Sequence, residues 1–360
     1  MSDLLKELSG FDEYVPGKGI DEVAFEHGLS PDEMAKLASN ENPLGPPDAA
    51  VERIRRNVDG ANIYPTALNE TLRQKVAEYI GVPEGNVVLG AGADGVFDTV
   101  GRAVIEDGDS VLTPSPGFSY YGMSARYLGG NESSFSLSKE DGFEMTPEAV
   151  LDAYSGEKII YLTTPNNPTG TSLTKDGITE IADEVDGLVF VDEAYGEFSD
   201  QPSFAPEAVE RDDVAVARTF SKAFGLAGLR VGYGVVPDWL AAAYRKVTTP
   251  FSVGTLSLHG AIGALEDDGH LEDTVDLVEW GRGYLSSEIE LPTFESEANF
   301  VLVDVEPSGM SASEVAEELE KRGIIVRDTT SFGLPGCIRV SVGTDDETRR
   351  AVREINAVCA

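Results

Sequence analysis

The chain has 360 residues, of which 64 are acidic and 27 are basic, so its formal net charge at pH 7 is −37. This length predicts about two domains, each large enough to bury a core without disulfides or metal ions. A field this negative repels phosphodiester backbones and anionic lipids, which argues against nucleic-acid and membrane-surface binding. Because the acidic residues are spread through segments with regular apolar patterning, we hypothesise an acidic surface adapted to a cytoplasm of very high salt.

Cysteine usage and hydropathy indicate the compartment. Cys337 and Cys359 are too few to form a disulfide framework, which is typical of a reducing interior. The acidic N-terminal stretch lacks the basic and apolar regions of a signal peptide, and no apolar run reaches the roughly 18 residues of a membrane span. We therefore expect a cytoplasmic protein.

Short apolar runs alternate with helix-like stretches between about residues 48 and 235. This alternation predicts an α/β fold with a mostly parallel sheet flanked by helices, whose ligand site lies at the carboxyl ends of the strands. Helix start signals stand at 46–48 and 146–148. The predicted strands are 86–90, 110–114, 158–164, 187–194, 214–219 and 230–236.

The pattern changes after Pro250. Predicted elements there are a helical region at about 255–290, a strand at 298–305, a helix at 311–323, strands at 324–328 and 337–343, and a helix at 345–358. This order is typical of a smaller α+β domain. We therefore divide the chain into an N-terminal arm (1–30), a large domain (31–250) and a small C-terminal domain (251–360).

A glycine motif at 90–95 fits G-x-G-x-x-G after an apolar strand and at the start of a helix, so a nicotinamide dinucleotide site has to be considered. Such a site needs an acidic residue near the end of the next strand, where this chain has Thr-Pro at 113–114. The interpretation that remains is that the backbone N–H groups of Gly92, Ala93 and Asp94, at a helix N-terminus, bind one phosphate group.

The predicted strand at 187–194 carries a carboxylate, Asp192, near its carboxyl end. That carboxylate could bind a metal ion or pair with a protonated ring nitrogen, and it could equally be a helix N-cap. A metal site has no support, because His27, His259 and His270 show no ligand spacing with one another.

A lysine follows the next predicted strand in an otherwise uncharged stretch. Lys222 has hydroxyls one and three residues before it, at Ser221 and Thr219, and Arg230 eight residues after it. A desolvated lysine can form a Schiff base with an aldehyde, and the hydroxyls and arginine supply donors for a phosphate monoester; a solvated loop lysine is the alternative. Together with Asp192 and the glycine motif, these groups describe a site for pyridoxal 5′-phosphate.

At these motifs the sequence resembles the fold-type I aminotransferases, and within them the histidinol-phosphate aminotransferase family. The matching stretches are 14–18, 38–46, 64–65, 92–94, 165–170, 191–198, 218–230, 297–303, 325–328 and 338–344. The motif P-N-N-P-T-G at 165–170 is shared by many aminotransferases, whereas the ordered set is highly specific. The resemblance implies a large domain that binds pyridoxal 5′-phosphate and a transamination between histidinol phosphate and 2-oxoglutarate in histidine biosynthesis.

The resemblance also implies a role for each cofactor residue. Lys222 would be the Schiff-base lysine, and Asp192 would bond the pyridinium nitrogen. Asn167 and Tyr195 would hydrogen-bond the 3-oxygen of the ring, and Phe118 would stack on its face.

A homodimer with a shared active site is a further implication, because Tyr64 is expected to reach the cofactor phosphate of the neighbouring subunit. Arg339 and Arg327 would hold the phosphate or carboxylate of the substrate, with Tyr14 and Asn40 completing the pocket. Tyr14 could instead be arm packing, and Arg327 a surface ion pair.

Two positions depart from the family pattern: Gly95 stands where Glu is usual, and Phe118 stands where Tyr is usual. Three other functions remain open, namely a threonine-phosphate decarboxylase, which is a lyase, an aromatic-amino-acid aminotransferase, and a cofactor-binding regulator. The segment at 38–46 resembles the histidinol-phosphate enzymes more closely than the decarboxylases.

Overall fold

The computed structural model describes residues 17–360, and its strands form a large and a small sheet. The strands are β1 (Ala35–Leu37), β2 (Val87–Gly90), β3 (Ser110–Ser115), β4 (Asn131–Ser136), β5 (Ile159–Thr163), β6 (Leu188–Asp192), β7 (Val214–Thr219), β8 (Gly232–Val235), β9 (Phe300–Asp304), β10 (Ile324–Asp328) and β11 (Cys337–Ser341). The helices are α1 (Ile20–His27), α2 (Asp48–Asn57), α3 (Thr66–Ile80), α4 (Gly92–Val104), α5 (Tyr120–Tyr127), α6 (Pro147–Ala153), α7 (Lys175–Glu184), α8 (Ala205–Glu210), α9 (Asp238–Val247), α10 (Thr255–Ala264), α11 (Asp268–Glu288), α12 (Ala312–Glu320) and α13 (Asp345–Cys359).

The large sheet has the strand order β2-β8-β7-β6-β5-β3-β4. Its strands are parallel except for β8, which runs antiparallel to β2 and β7. The central strands β5, β6 and β7 are buried along their whole length, which is the pattern of strands covered by helices on both faces. The prediction of an α/β fold with a mostly parallel sheet is confirmed.

The small sheet has the order β1-β10-β11-β9. Strands β9, β10 and β11 are antiparallel neighbours, and β1 pairs with β10 in parallel, with Ala35 opposite Ile324. Strand β1 lies within the range 31–250 that the sequence assigns to the large domain, so that range contributes one strand to the small sheet. The three-part division of the chain stays a prediction.

Three elements differ from the sequence-based expectation. Strand β1 is only three residues long and leaves no periodic signal. Strand β4 was missed because its sequence is polar, with Phe135 as its buried side chain. The helical region at 255–290 is two helices, and the carboxylate of Asp267 accepts from the N–H of His270 (3.2 Å) to begin the second of them.

The register of the large sheet sets the position of the site. Thr163, at the end of β5, lies opposite Asp192 at the end of β6, and Asp192 lies opposite Ala217 of β7. The carboxyl ends of the three central strands therefore lie side by side.

Within residues 17–360, no helix combines the length and the apolar character that crossing a bilayer would require.

Candidate active site

A cavity lies at the carboxyl ends of the central strands and is lined by residues of both sheets. It brings together most of the site residues that the sequence predicts. Those that line it are Asn40, Ala93, Asp94, Phe118, Asn167, Asp192, Tyr195, Thr219, Ser221, Lys222, Arg230, Arg327 and Arg339. The motifs from opposite ends of the chain therefore form one site.

Lys222 lies three residues beyond β7 and points into the cavity. Its Nζ donates to the backbone carbonyl of Ser39 (3.2 Å) and lies 5.7 Å from the centroid of the Tyr195 ring. Burial, followed by the guanidinium of Arg339, lowers the pKa of this amine to about 8. Near neutral pH the amine is therefore neutral in part of the molecules, which is the state that attacks an aldehyde or accepts a proton.

Asp192 is a buried carboxylate at the end of β6. Its Oδ1 accepts from the N–H of Ala194 (2.9 Å), and its Oδ2 accepts from the hydroxyl of Tyr121 (2.6 Å). Burial raises its pKa to about 7, and the nearby carboxylates of Asp94 and Glu193 act in the same direction. A cation placed in the cavity, such as a protonated ring nitrogen, would favour its ionised form.

The helix α4 begins at Gly92, and Ala93 and Asp94 of its first turn line the cavity. Gly92 has a φ of 78°, and a Cβ at this position would lie 2.5 Å from Nη2 of Arg230. The guanidinium of Arg230 donates to Asp94 (2.8 Å) and to Ser221 Oγ (3.1 Å). This close approach of a helix N-terminus, an arginine and a hydroxyl fits a phosphate group.

Thr219 and Ser221 are joined to each other and to the same end of the cavity. The N–H of Ser221 donates to Thr219 Oγ1 (3.1 Å), and Thr219 Oγ1 lies 3.4 Å from the carbonyl of Val231, to which it donates. Both side chains are buried. Their position beside Arg230 agrees with the expectation that they bind the same anion.

Two arginines lie on the small-sheet wall of the cavity. Arg327 of β10 and Arg339 of β11 are directly opposite each other in the strand register. Both guanidiniums pack on the ring of Phe332, at 5.4 and 6.0 Å from its centroid, and Arg339 also donates to the carbonyl of Ala38 (2.6 Å) and to Oδ1 of Asn167. Two adjacent guanidiniums of this kind are suited to a phosphate or a carboxylate.

Asn40 joins the two sheets at the cavity. It adopts a φ of 56°, its N–H donates to Ser341 Oγ (3.0 Å), and its side-chain amide donates to the hydroxyl of Tyr195 (2.9 Å). A left-handed conformation is one that asparagine tolerates better than most residues. Asn40 therefore fixes the Tyr195 hydroxyl that faces the cavity.

Sequence reasoning missed eight residues of the cavity, which are Gly17, Ala38, Ser39, Phe97, Tyr121, Thr163, Ala194 and Phe332. Tyr121 and Thr163 lie next to Asp192, Ser39 accepts from Lys222, and Phe332 packs on the two arginines. Tyr121 is in the same stretch as Phe118, and the two rings form a T-shaped contact, with centroids 5.4 Å apart and planes at 87°. The position of Tyr121 close to Phe118 in the sequence could therefore have marked it as a site residue. Its contact with Asp192 could not be predicted, because it depends on how α5 packs against the sheet.

Residues 32–355 of the chain match the family model of the class I and II aminotransferases. The chain belongs to this aminotransferase family. The resemblance stated from the sequence motifs is therefore confirmed.

Relatives and solved structures agree with this assignment. The histidinol-phosphate aminotransferases of Natronomonas pharaonis and Haloarcula marismortui are 50% and 48% identical to this chain, and each comparison covers 98% of both chains. The crystal structure of histidinol-phosphate aminotransferase from Sinorhizobium meliloti in complex with pyridoxal-5′-phosphate has a TM-score of 0.85 at 26% identity, over 98% of this chain and 99% of that one. A Thermus thermophilus aspartate aminotransferase double mutant, at 24% identity, 98% and 99% coverage and a TM-score of 0.85, shows the same fold.

Of the predicted site residues that the structure describes, Gly92 and Tyr64 are not among those that line the cavity. Tyr64 is 74% exposed and stacks on Phe251, with ring centroids 4.4 Å apart. Tyr14 lies outside the described residues. The predicted roles of all three residues stay predictions.

One cluster in this aminotransferase contains a histidine with acidic neighbours. Ligand atoms of Glu26, His27 and Glu320 lie within 4.8 Å of one another. The sequence did not predict this cluster, because these residues show no metal-ligand spacing. The ammonium of Lys18 donates to Glu320 (2.7 Å), so an ion pair already compensates the buried carboxylate. The cluster is accounted for as a salt-bridge group between α1 and α12.

Proposed function

We propose that the protein is a pyridoxal-phosphate-dependent aminotransferase that interconverts histidinol phosphate and imidazole-acetol phosphate, with glutamate and 2-oxoglutarate as the second pair. The observation that carries this proposal is one cavity with an amine nucleophile, Lys222, between two anion-binding ends. Arg230 and the start of α4 form one end, and the facing Arg327 and Arg339 form the other. The names and the near-complete coverage of the relatives support the choice of substrate.

The residues of the cavity fit pyridoxal 5′-phosphate. When bound, this cofactor supplies an aldehyde for covalent attachment and a ring that accepts electrons. Asp192 would pair with the ring nitrogen, Asn167 and Tyr195 would hydrogen-bond the 3-oxygen, and Phe118 would stack on the ring face. The residues that would hold the phosphate are Gly92, Ala93, Asp94, Thr219, Ser221 and Arg230.

Lys222 would attach the cofactor and then act as the base. Its neutral Nζ would accept the proton from the α-carbon of the amino donor and hold it for return to the product. A pKa of about 8 suits this role, because proton transfer is most efficient when the pKa of the base lies near the working pH. Asp192, when ionised, would hold a proton on the ring nitrogen of the cofactor.

Arg327 and Arg339 would hold the distal anion of the substrate. The glutamate side-chain carboxylate and the histidinol phosphate monoester can each accept paired N–H donors from guanidinium groups. Since the two arginines lie opposite each other on neighbouring strands, one pair of cations serves both half-reactions. Tyr14 and Asn40 would complete the substrate pocket.

A homodimer with a shared active site is part of the proposal. Tyr64, at 74% exposure, stacks on Phe251, which is also exposed, and the adjacent residue Ile63 is 64% exposed. Large apolar side chains grouped at a surface are typical of an interface. Tyr64 would reach the cofactor phosphate of the neighbouring subunit from this surface.

The test is amino transfer to 2-oxoglutarate by the purified holoenzyme, with three amine compounds offered in turn. We expect glutamate to form rapidly with histidinol phosphate and slowly or not at all with phenylalanine. Threonine phosphate is expected to release no CO₂. Release of CO₂ from threonine phosphate would contradict the proposal, as would turnover of phenylalanine alone.

Lys222→Ala is the matched test of mechanism. We expect loss of turnover and, after borohydride reduction, loss of covalently attached cofactor in the intact-protein mass spectrum. Lys246→Ala removes an exposed lysine of α9 and should change neither result. Retained covalent attachment in Lys222→Ala would refute the assignment of this lysine.

A further inference from the structure

Tyr121 is a fully buried tyrosine whose hydroxyl lies next to the proposed ring-nitrogen partner. It stands in the first turns of α5 with an exposure of 0% and lines the cavity. Its hydroxyl lies 2.6 Å from Asp192 Oδ2 and 2.9 Å from Thr163 Oγ1. A buried hydroxyl held by two partners has one orientation.

The direction of these hydrogen bonds follows from the chemistry of the groups. An ionised carboxylate can only accept, so Tyr121 donates to Asp192, and the hydroxyl of Thr163 is then the donor to the tyrosine oxygen. Thr163 and Asp192 are directly opposite each other on β5 and β6. Two adjacent strand ends and one helix therefore form a chain of hydrogen bonds that ends on the carboxylate.

The Tyr121 hydroxyl opposes the other influences on Asp192. Burial raises the pKa of this carboxyl, and the carboxylates of Asp94 on α4 and Glu193 after β6 raise it further. The hydrogen bond from Tyr121, followed by that from the N–H of Ala194, lowers it. Burial raises the pKa of the phenols of Tyr161 and Tyr195, and the charge of Asp192 acts on both in the same direction.

The ring of Tyr121 is as constrained as its hydroxyl. It stacks on Tyr161 with centroids 4.5 Å apart and planes at 13°, and it meets the edges of Phe97 and Phe118 at 5.2 and 5.4 Å. Phe118 is the residue expected on the face of the cofactor ring. One rigid side chain thus supports both the face and the nitrogen position of that ring.

We propose that Tyr121 is a positioning residue that keeps Asp192 ionised and turned into the cavity, so that the site selects a cationic ring N–H group over an isosteric C–H group. The inference rests on the proposed function, because it assumes that the cofactor ring is the occupant. Tyr121 would thus control the preference for a ring N–H group over a C–H group without contacting the cofactor nitrogen.

The test compares two ligands that differ at the ring nitrogen. Pyridoxamine 5′-phosphate and its 1-deaza analogue, in which C–H replaces that nitrogen, are titrated into the apoenzyme at pH 7 by calorimetry. We expect Tyr121→Phe to weaken binding of pyridoxamine 5′-phosphate about tenfold, the usual worth of one hydrogen bond to a charged group. The affinity for the deaza analogue should change less than about threefold, because that ligand makes no use of the ionised carboxylate.

Two further variants make the test specific. Tyr120→Phe removes a hydroxyl of the same helix that donates to Asp98 (2.8 Å), and we expect it to change neither affinity. Thr163→Val removes the donor to the tyrosine oxygen, and a smaller loss with the same selectivity is expected. It also carries the test if Tyr121→Phe does not fold.

Three outcomes would overturn the inference. Equal weakening of both ligands would make Tyr121 a packing residue without effect on nitrogen selectivity, and unchanged binding of both would remove any role. Wild-type apoenzyme that binds neither compound would refute the cofactor assignment itself. The enzyme could also fail to turn over histidinol phosphate while it still binds pyridoxamine 5′-phosphate tightly and in a Tyr121-dependent way. That result would refute the choice of substrate and support the inference about Tyr121.

Discussion

Two ionisable side chains of the cavity, Lys222 and Asp192, have their charge states set by the same burial. Burial lowers the pKa of Lys222 to about 8 and raises that of Asp192 to about 7. Each shift disfavours the charge that the group would carry in water. Ionisation of either group therefore destabilises the folded apoprotein. A ligand that brings a ring cation and an aldehyde would offset this cost for both groups.

Asp192→Asn should stabilise the apoenzyme in a pH-dependent way. The folded-state pKa of about 7 lies above the ordinary value of 3.8, so ionised Asp192 destabilises the fold. This cost is nearly absent at pH 4, grows as the pH rises and is constant above about pH 7. We expect the variant to be about 2–4 kcal/mol more stable than wild type at pH 8 and nearly equal at pH 4.

Thermal unfolding of both apoproteins over pH 4–8, at constant salt, measures this difference. Asp212→Asn, which changes an exposed carboxylate after α8, is the matched control and should show no such trend. With pyridoxamine 5′-phosphate bound, the order should reverse, because the ring nitrogen then needs the carboxylate. A constant difference across the pH range would show that ionisation of Asp192 is not its cause.

At the scale of elements, the phosphate end depends on the close approach of α4, β8 and the segment after β7. Gly92 and Gly232 allow this approach, since a Cβ on Gly232 would lie 2.3 Å from the carbonyl carbon of Gly92. Arg230 has a φ of 52° and points its guanidinium at the start of α4. Backbone proximity is therefore as much a part of this site as the side chains.

Gly92→Ala should weaken cofactor binding through sterics and backbone strain together. Its Cβ would meet Nη2 of Arg230 at 2.5 Å, so the guanidinium has to leave its position. We expect at least about a tenfold loss in pyridoxamine 5′-phosphate affinity, because one charged hydrogen bond is worth about this factor. Calorimetric titration of the apoenzyme measures it.

Gly108→Ala is the matched control for this change. Gly108 has a φ of 88°, similar to that of Gly92, but its Cβ would meet nothing within 4 Å. Both variants should lose about 1–2 kcal/mol of stability from the left-handed backbone, and only Gly92→Ala should lose affinity. Equal affinities in the two variants would contradict the steric argument.

At the scale of the whole molecule, the strongly negative formal charge of the chain contrasts with the cations that line its cavity. The chain carries a formal charge of −37, yet Lys222, Arg230, Arg327 and Arg339 converge on one cavity. The proposed anionic cofactor and substrate would enter against this negative charge, and the four cations would supply the local attraction. The cytoplasmic, high-salt setting that the composition suggests stays a prediction.

Stability should rise with salt concentration. At millimolar salt the carboxylates repel one another over long distances, whereas above about 1 M the screening length falls to about 3 Å. We expect the thermal midpoint of the holoenzyme to increase continuously between about 0.1 and 3 M KCl. Sucrose, which favours compact states without screening charge, should not replace the salt, and a midpoint that is highest in millimolar salt would contradict the hypothesis.

Mixed dimers test the proposed sharing of the site. Neither Lys222→Ala nor Tyr64→Ala should be active alone at the wild-type level, since one lacks the nucleophile and the other the phosphate contact across the interface. After mixing and reassembly, heterodimers would contain one site with both residues intact. We expect recovery to about a quarter of wild-type activity in an equal mixture, because half of the dimers are mixed and half of their sites are complete.

Lys222→Ala mixed with itself is the control for this experiment and should regain nothing. A mixture whose activity equals the average of the two separate variants would place both residues in the same subunit's site. Sedimentation of the separate variants, compared with wild type, shows whether Tyr64→Ala still forms dimers.

The sequence by itself determined the parallel sheet, the family and most of the cavity. Buried strands such as β5 to β7 have continuous apolar sequences, and Lys222, Asp192 and Asn167 stand in motifs whose local form is fixed by short-range geometry. The antiparallel insertion of β8 and the polar edge strand β4 were not readable, because strand order and edge position depend on contacts between distant segments.

Tertiary structure alone decided which groups act on one another. That Asn40 holds Tyr195, that Arg327 lies opposite Arg339 and that β1 joins the small sheet are consequences of packing between segments up to about 300 residues apart. The Tyr121 hydroxyl reaches Asp192 for the same reason, across 71 residues. Motifs carry the chemistry of each side chain, whereas its charge state and orientation come from burial and neighbours that only the folded chain provides.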